Sequence, residues 1–392
     1  MRWAIIGFGV VLLVAGVIFF GFAANYTARQ MNAVVEADLP AVTPDTVRFH
    51  DRLVIADLHA DPLLWPRNLA RRGGYGHVDV PRLVEGNVAM QVFTTVTKSP
   101  RGLNIETNEA TSDNITLLAI GQLWPVRTWF SLTERALYQA EKLHRFASTS
   151  DGLTVLRTAK DLDRLLGERA GGSREVGGIL GLEGAHALEG RLANLDLLFD
   201  AGHRVIGLVH FFDNEVGGSR HGTGQGGLTP FGRDVVRRAE ELGMVIDLAH
   251  ASPALTADVL AMTTRPPIVS HTGVRATCDN PRNLSDAELD AVAGAGGLVG
   301  IGYWEMAVCD ISPAGIARAI AHVRDRVGIG HVALGSDYDG AVHVAFDTGQ
   351  LAMLTQALRD HGFDDNDIAR VMGGNVTDYF LKYLPAGTSG TP

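Results

Sequence analysis

Eight short apolar runs, separated by segments with helical periodicity, constrain the fold of this chain more than any other feature. Each run is too short for a helix and too uniformly apolar for a strand with one face in water. That pattern is typical of parallel strands buried on both faces. The runs cover residues 53–61, 88–96, 177–185, 205–211, 244–250, 267–272, 297–303 and 332–340.

The segments between the runs supply the helices of a β/α repeat. In residues 230–243 and 313–328, apolar positions recur at helical spacing and a glycine ends the last turn. Repeated alternation predicts an α/β fold, a (β/α)8 TIM-type barrel, with a doubly wound open sheet as the alternative. The long interruption at residues 101–160 predicts an inserted helical segment. The glycine-rich residues 217–229 lack the GK[ST] ending of a phosphate-binding loop and are interpreted as a mobile loop.

The N-terminus carries an apolar segment of another kind. No charge occurs from Trp3 to Ala24, and about twenty apolar residues suffice to cross a bilayer as a helix. Arg2 favours a cytoplasmic N-terminus, which places the rest of the chain on the periplasmic or extracellular side. A cleaved signal peptide, giving a secreted protein, is the alternative. The predicted organisation is an anchor or signal at 1–24, a tether at 25–50, the barrel domain at 51–385 and a tail at 386–392.

Composition narrows the possible partners. Hydrophobic residues make up 46% and charged residues 20%, which excludes a globally disordered chain. Acidic residues outnumber basic ones 44 to 34, and the net charge of -10 argues against a nucleic-acid-binding surface. Cys278 and Cys309 form neither a CxxC pair nor a disulfide framework, so we expect two buried thiols that act as small hydrophobes.

Residues that can bind metal ions end six of the eight runs, and the carboxyl ends of barrel strands meet on one face. The spacing of His59 and Asp61 puts both side chains on the same face of a strand. His250 and His271 end consecutive runs, and Glu183 lies between the two pairs in strand order. An unpaired carboxylate in the apolar run GLEGAHAL costs several kcal/mol, so the pattern predicts that Glu183 bridges two cations. The six ends carry His59 and Asp61, Glu183, His210, His250, His271, and Asp337 with Asp339.

A set of ordered motifs resembles the membrane (renal-type) dipeptidase family, a branch of the metal-dependent amidohydrolase superfamily. Each motif alone is weak, but the ordered set is specific, and it covers roughly residues 50–385. The motifs are ADLHADPL, GLEGAHAL, GLVHFFDNEVGGS, GLTPFGRDVV, LGMVIDLAHAS, VSHTGVRATCDNPRNLSD, LGSDYDG and VMGGNVTDYF. The run GLVGIGYW departs from the family pattern, because it lacks the usual Phe-Tyr at its end.

The resemblance implies a pair of zinc ions and a set of substrate-binding residues. His59, Asp61 and Glu183 would bind one ion, and Glu183, His250 and His271 the other. Nitrogen and oxygen ligands without a thiolate favour zinc, while manganese, cobalt and iron stay open. The resemblance also assigns His210 to the scissile carbonyl, Arg282 to the substrate grip and Asp337 to the amine and leaving group. Family members are often dimeric, so a homodimer is a further expectation.

The expected activity is hydrolysis of small dipeptides, with Glu183, His210 and Asp337 as catalytic residues. Two divalent ions bring a charge of about +4 and their carboxylate ligands return only -2, so a bridging water would ionise readily to the attacking hydroxide. His210 would stabilise the oxyanion, Asp337 would carry the proton to the leaving amine, and Arg282 would hold the substrate carboxylate. The alternatives are an amidohydrolase acting on another small amide or lactam, and a catalytically inactive, membrane-anchored binding protein.

Overall fold

Parallel strands closed into a barrel dominate the computed structural model, which describes residues 2–387. The strands are β1 Ile55–Ala60, β2 Val88–Val96, β3 Leu153–Val155, β4 Val176–Glu183, β5 His203–Gly207, β6 Val245–Asp247, β7 Ile268–Thr272, β8 Leu298–Ile301 and β9 Val332–Leu334. Each strand pairs with its spatial neighbour in the order β1, β2, β4 to β9, and β9 pairs with β1 again. The eight predicted strands and the (β/α)8 barrel are confirmed.

Helices precede the first strand, connect the strands and cover the barrel from outside. They are α1 Arg2–Ile18, α2 Ala24–Met31, α3 Pro44–His50, α4 Val80–Glu85, α5 Ile115–Gly121, α6 Arg127–Phe130, α7 Leu132–Ser148, α8 Ala159–Ala170, α9 Ala193–Ala201, α10 Pro230–Leu242, α11 Pro253–Leu260, α12 Asp286–Gly294, α13 Glu305–Val308, α14 Pro313–Val327, α15 Ala352–Asp360, α16 Asp365–Ala369 and α17 Asn375–Tyr383. Four of them, α3, α10, α11 and α14, begin at a proline that follows a Thr or Ser cap. The Thr or Ser side chain accepts a hydrogen bond from a free backbone N–H of the first turn, and proline has no N–H of its own to satisfy. The pairing therefore fixes where these helices start.

The predicted insertion at residues 101–160 contains α5, α6, α7 and the short strand β3, which the sequence patterns did not predict. β3 pairs with the first residues of β4, on the amino-terminal side of the stretch of β4 that pairs with β5. The buried guanidinium of Arg135 on α7 donates to the carbonyl of Thr97 at 2.7 Å and to Asp113 at 2.6 Å. These bonds tie the inserted segment to the carboxyl end of β2.

The N-terminal apolar segment is a helix that continues beyond the predicted anchor. α1 passes through a π-helical turn, Phe19–Ala23, into α2 without leaving helical backbone angles. Within the described residues, one helix is long and apolar enough to cross a membrane. Residues 25–50, predicted to be a tether, contain most of α2 and all of α3, and Ala28 is fully buried. Of the predicted tail, residues 388–392 lie outside the described residues.

Two further expectations from the sequence are wrong. Cys278 and Cys309 form a disulfide, with their Cα atoms 5.4 Å apart. The loops after β7 and β8 leave neighbouring strands at the same end of the barrel, which brings together two cysteines that are 31 residues apart. The expectation that the whole glycine-rich loop is mobile is also wrong, because residues 216–222 are buried and Ser219 pairs with Ala251.

Candidate metal centre

Glu183, the last residue of β4, lies at the centre of a cluster of imidazoles. Its Oε1 atom is 3.5 Å from His59 Nε2, 3.3 Å from His250 Nε2 and 3.6 Å from His271 Nε2. Its Oε2 atom is 3.5 Å from His210 Nε2. The carboxylate is 5% exposed, so nitrogen atoms rather than water surround it. The following Gly184 has φ +93°, and a Cβ there would strike the His186 ring at 2.3 Å, so this turn requires glycine.

Two further carboxylates flank His59 on the other side of the cluster. Asp61 Oδ2 lies 3.5 Å and Asp337 Oδ1 lies 3.9 Å from His59 Nε2. The Thr94 hydroxyl on β2 donates to the other oxygen of Asp61. The ligand cluster therefore comprises His59, Asp61, Glu183, His210, His250, His271 and Asp337.

Backbone strain is concentrated at the same place. His250 has φ +63° and Asp337 has φ +59°, a left-handed conformation that costs of order 1–3 kcal/mol for such residues. Both residues follow the carboxyl ends of strands, and the left-handed turn is part of the path that brings their side chains to Glu183 and His59.

A serine that the sequence analysis did not single out orients two of the imidazoles. The Ser270 hydroxyl on β7 lies 3.1 Å from His59 Nδ1 and 3.0 Å from His271 Nδ1. Both rings consequently present Nε2 to the cluster, as metal-binding histidines do when their other nitrogen is held. No sequence signal marked Ser270 apart from its position beside His271.

Charges in the cluster fit a bound cation. Burial, and secondly the charge of Asp61, raise the pKa of Glu183 well above its usual range. Burial likewise lowers the pKa of His250 and of His271 well below the usual value, so both rings are neutral. Their Nε2 atoms are nevertheless only 3.0 Å apart. Two neutral ring nitrogens at this distance can share a proton or a cation, and a divalent cation favours both neutral imidazole and ionised carboxylate.

The pKa values of His59 and Asp337 depend on both burial and neighbouring charges. Burial alone lowers the pKa of His59, but Asp61 and Glu183 outweigh it and raise that pKa to about 10. Burial, partly opposed by the His59 charge, raises the pKa of Asp337 to about 8. In the protein alone the cluster therefore holds protons that a cation would displace.

Arg282 is buried beside the cluster, in the loop that follows β7. Its Nη2 donates to the His271 carbonyl at 2.9 Å, and its guanidinium lies 5.5 Å from the centre of the Trp304 ring. Burial, and secondly the charge of Arg220, lower the pKa of Arg282 to about 10. Arg220, which the sequence analysis missed, donates to the carbonyls of Arg282 and Asn283 at 3.4 and 3.1 Å. It fixes the loop that carries Arg282.

Asp339, named above as a possible metal ligand, instead has a structural place in the DYDG turn. It forms a buried ion pair with Arg67 and accepts the N–H groups of His77 and Val78 at 2.9 and 3.1 Å. These contacts engage both of its carboxylate oxygens, which supports a structural role for Asp339.

A cavity of about 460 Å³ opens above the cluster. Glu183, His210, His250, His271, Arg282 and Asp337 all line it. A small molecule in this cavity can therefore contact the candidate metal ligands, a buried guanidinium and a carboxyl group at once.

Comparison with known proteins agrees with this geometry. The family model described as membrane dipeptidase (peptidase family M19) matches residues 45–380. The chain belongs to the membrane dipeptidase family. The match spans the barrel from α3 to α17, so the whole fold and the ligand cluster fall within it.

Individual relatives are distant in sequence, but the similarity extends over most of each chain. Dipeptidase aclJ of Aspergillus oryzae is 28% identical over 351 residues, which is 83% of this chain and 77% of the relative. A crystal structure described as the dipeptidase AC, a metallopeptidase, is 26% identical with a TM-score of 0.69 and covers 86% of this chain and 99% of its own. A metallopeptidase from Rhodobacter sphaeroides, solved with a phosphinate mimic of the dipeptide L-Ala-D-Ala, is 25% identical with a TM-score of 0.66. It covers 85% of this chain and 99% of its own.

Membership confirms that the chain is a metal-dependent hydrolase of the dipeptidase type. With the exception of Asp339, the structure brings the sequence-predicted site residues into one cluster or onto its cavity. It groups three sets of candidate ligand atoms within 4.8 Å: His59 with Glu183 and His271, Glu183 with His210 and His250, and His59 with Asp61 and Asp337. This grouping differs from the pairing that the resemblance implied, and the number of ions and their ligands stay predictions.

Proposed function

We propose that this protein is a zinc-dependent dipeptidase that hydrolyses the peptide bond of small dipeptides. The observation that carries the proposal is the position of Glu183, a buried carboxylate within 3.3–3.6 Å of four imidazole nitrogens. His59, Asp61, Glu183, His250 and His271 are the proposed ligands of two zinc ions. When bound, the ions supply an activated water and polarise the carbonyl of the substrate.

The protein's own side chains supply binding and proton transfer. Arg282 presents a planar fork that suits the free carboxylate of a dipeptide, and its burial beside Trp304 keeps water away from that contact. Asp337 reaches the cluster from the turn after β9, where it holds the substrate amine and passes a proton to the leaving nitrogen. His210 is within reach of the same space and donates to the carbonyl oxygen as charge develops on it.

The test is metal analysis of the purified protein combined with hydrolysis of a dipeptide panel. We expect two zinc ions per chain, cleavage of dipeptides with a free carboxylate, and loss of cleavage when that carboxylate is amidated. Equal hydrolysis of the amidated dipeptides would remove Arg282 from substrate binding. Hydrolysis of small lactams or other amides in place of dipeptides would favour the amidohydrolase alternative.

We also propose that the apolar helix anchors the enzyme in a membrane, with the catalytic domain outside the cytoplasm. Trp3 and Tyr26, at the two ends of the segment, are 86% and 67% exposed, as interfacial aromatic residues are. The disulfide supports export, because disulfides persist in oxidising compartments. Full-length protein in washed membranes supports the anchor, whereas a mature N-terminus near residue 24 in a soluble fraction identifies a cleaved signal. Sedimentation of the solubilised enzyme tests the expected homodimer.

A further inference from the structure

The helix that leaves the apolar segment is built into the mouth of the catalytic cavity. Ala28 on α2 is fully buried and packs in one apolar cluster with Leu64, Trp65 and Val96. Just after α2, the Asn32 side chain accepts the N–H of Ala341 at 2.9 Å. The following backbone pairs with the loop after β9, since Val35 donates to the Val344 carbonyl at 2.8 Å. α2 is therefore held at a fixed position against the barrel.

Two side chains of α2 line the cavity itself. Thr27 and Met31 are four residues apart, so they lie on the same face of the helix, and both border the cavity that contains Glu183 and Arg282. Thr27 is partly buried, and Met31 is 42% exposed at the opening. The apolar residues that border the same cavity include Leu64, Leu103, Ile105, Leu118 and Val342.

The polar groups of the cavity determine which part of a dipeptide meets this apolar wall. Arg282 and Trp304 belong to the loops after β7 and β8, on the side where we place the substrate carboxylate. Asp337 begins the turn whose later residues, Ala341 and Val342, lie beside α2. A substrate whose amine is held at Asp337 consequently directs its first side chain towards α2.

We infer that α2 forms a wall of the subsite for the first residue's side chain, and that the preferred substrates are dipeptides whose first side chain is large and apolar. This inference rests on the proposed dipeptidase function. A cavity of about 460 Å³ is within the range that holds ligands larger than the smallest dipeptides. Its apolar border makes burial of a large aliphatic side chain favourable and leaves a glycine substrate without contacts there.

The experiment compares Leu-Ala with Gly-Ala on the full-length, zinc-loaded enzyme in detergent. Thr27→Trp places a large ring in the subsite, so we expect the ratio of kcat/KM for Leu-Ala to that for Gly-Ala to fall about 10-fold. Met31→Ala removes apolar contact without adding bulk, so it tests the wall even if the tryptophan variant does not fold. It should reduce the Leu-Ala to Gly-Ala ratio as well. Gln30→Trp is the matched control, because Gln30 is exposed on the same helix and does not line the cavity.

The outcomes separate this inference from the proposed function. A wild-type enzyme that cleaves Gly-Ala as well as Leu-Ala, or variants that lower both rates equally at full zinc content, would overturn the role of α2. If no dipeptide is cleaved, the proposed function fails, and calorimetry with phosphinate analogues of the two dipeptides still tests the subsite. The leucine analogue must then bind more tightly than the glycine analogue, and Thr27→Trp must abolish the difference. Equal binding of both analogues overturns the inference.

Discussion

The ligand cluster and the cavity mouth are built from two different kinds of chain segment. Every member of the ligand cluster lies near the carboxyl end of a barrel strand or directly after it, so its position depends on the hydrogen-bond register of the sheet. The cavity mouth, which we define as residues 24–32, 103–118 and 340–342, consists of α2, a loop that leads into the first turn of α5, and the loop after β9. These segments come from distant parts of the chain. The candidate metal ligands are therefore placed on the rigid frame of the barrel, and the cavity mouth is placed on peripheral segments of the kind that vary more easily.

Glu183→Gln should have the largest effect, because it acts at the centre of the ligand cluster. A neutral amide is a far poorer bridge than a carboxylate, and two cations would then repel each other with one less negative charge between them. We expect loss of at least one zinc ion and a fall in activity of several orders of magnitude, with an unchanged circular dichroism spectrum.

Elemental analysis of purified Glu183→Gln decides this prediction. Glu106→Gln provides the control, since Glu106 is an exposed carboxylate in the cavity-mouth segment 103–118. Two firmly held ions and near-normal turnover in Glu183→Gln would show that this residue is not the bridge.

Arg282→Lys changes a residue that lies beside the ligand cluster and also lines the cavity. The charge is retained but the two-pronged contact with a carboxylate is lost, so kcat/KM for dipeptides should fall about 100-fold, or ~2.7 kcal/mol, with zinc content unchanged. Arg275→Lys is the matched control, because Arg275 lies in the same loop and pairs with Asp279 in solvent. A loss of zinc in Arg282→Lys would make Arg282 part of the ligand cluster's support rather than a substrate residue.

Removal of the disulfide should have the smallest effect on turnover. The double variant Cys278→Ser, Cys309→Ser frees the two loops that carry Arg282 and Trp304, so we expect KM to rise by a few-fold while kcat and zinc content stay constant. Because the bond closes a loop of 31 residues, its loss should lower the free energy of unfolding by about 3–4 kcal/mol. Thermal unfolding and steady-state kinetics measure the two effects. A large fall in kcat would mean that the bond supports the ligand cluster itself.

The same contrast explains what could be read from the sequence. Short apolar runs in the sequence show where buried strands end. A His or Glu at the end of such a run is therefore expected at the carboxyl-end face of the barrel, which is why Glu183 and His271 could be placed together. The position of α2 depends on the burial of Ala28 and the hydrogen bonds of Asn32, and no local pattern distinguishes those residues from a tether. Ser270 and Arg220 likewise act only through contacts with residues far along the chain. The disulfide was missed because the loops that carry its cysteines meet only in the closed barrel.

Helical continuity from α1 into α2 has a geometric consequence for an anchored enzyme. With a rise of 1.5 Å per residue, Met31 lies about 10 Å along the helix from Ala24, where the uncharged segment ends. If that segment spans the bilayer, the opening of the catalytic cavity is held at a fixed distance from the membrane. That distance is about the thickness of one lipid headgroup layer above the hydrocarbon core. Substrate is then sampled from a thin shell of solvent at the membrane surface, and amphiphilic peptides that partition into this shell reach the enzyme at a local concentration above that of the bulk.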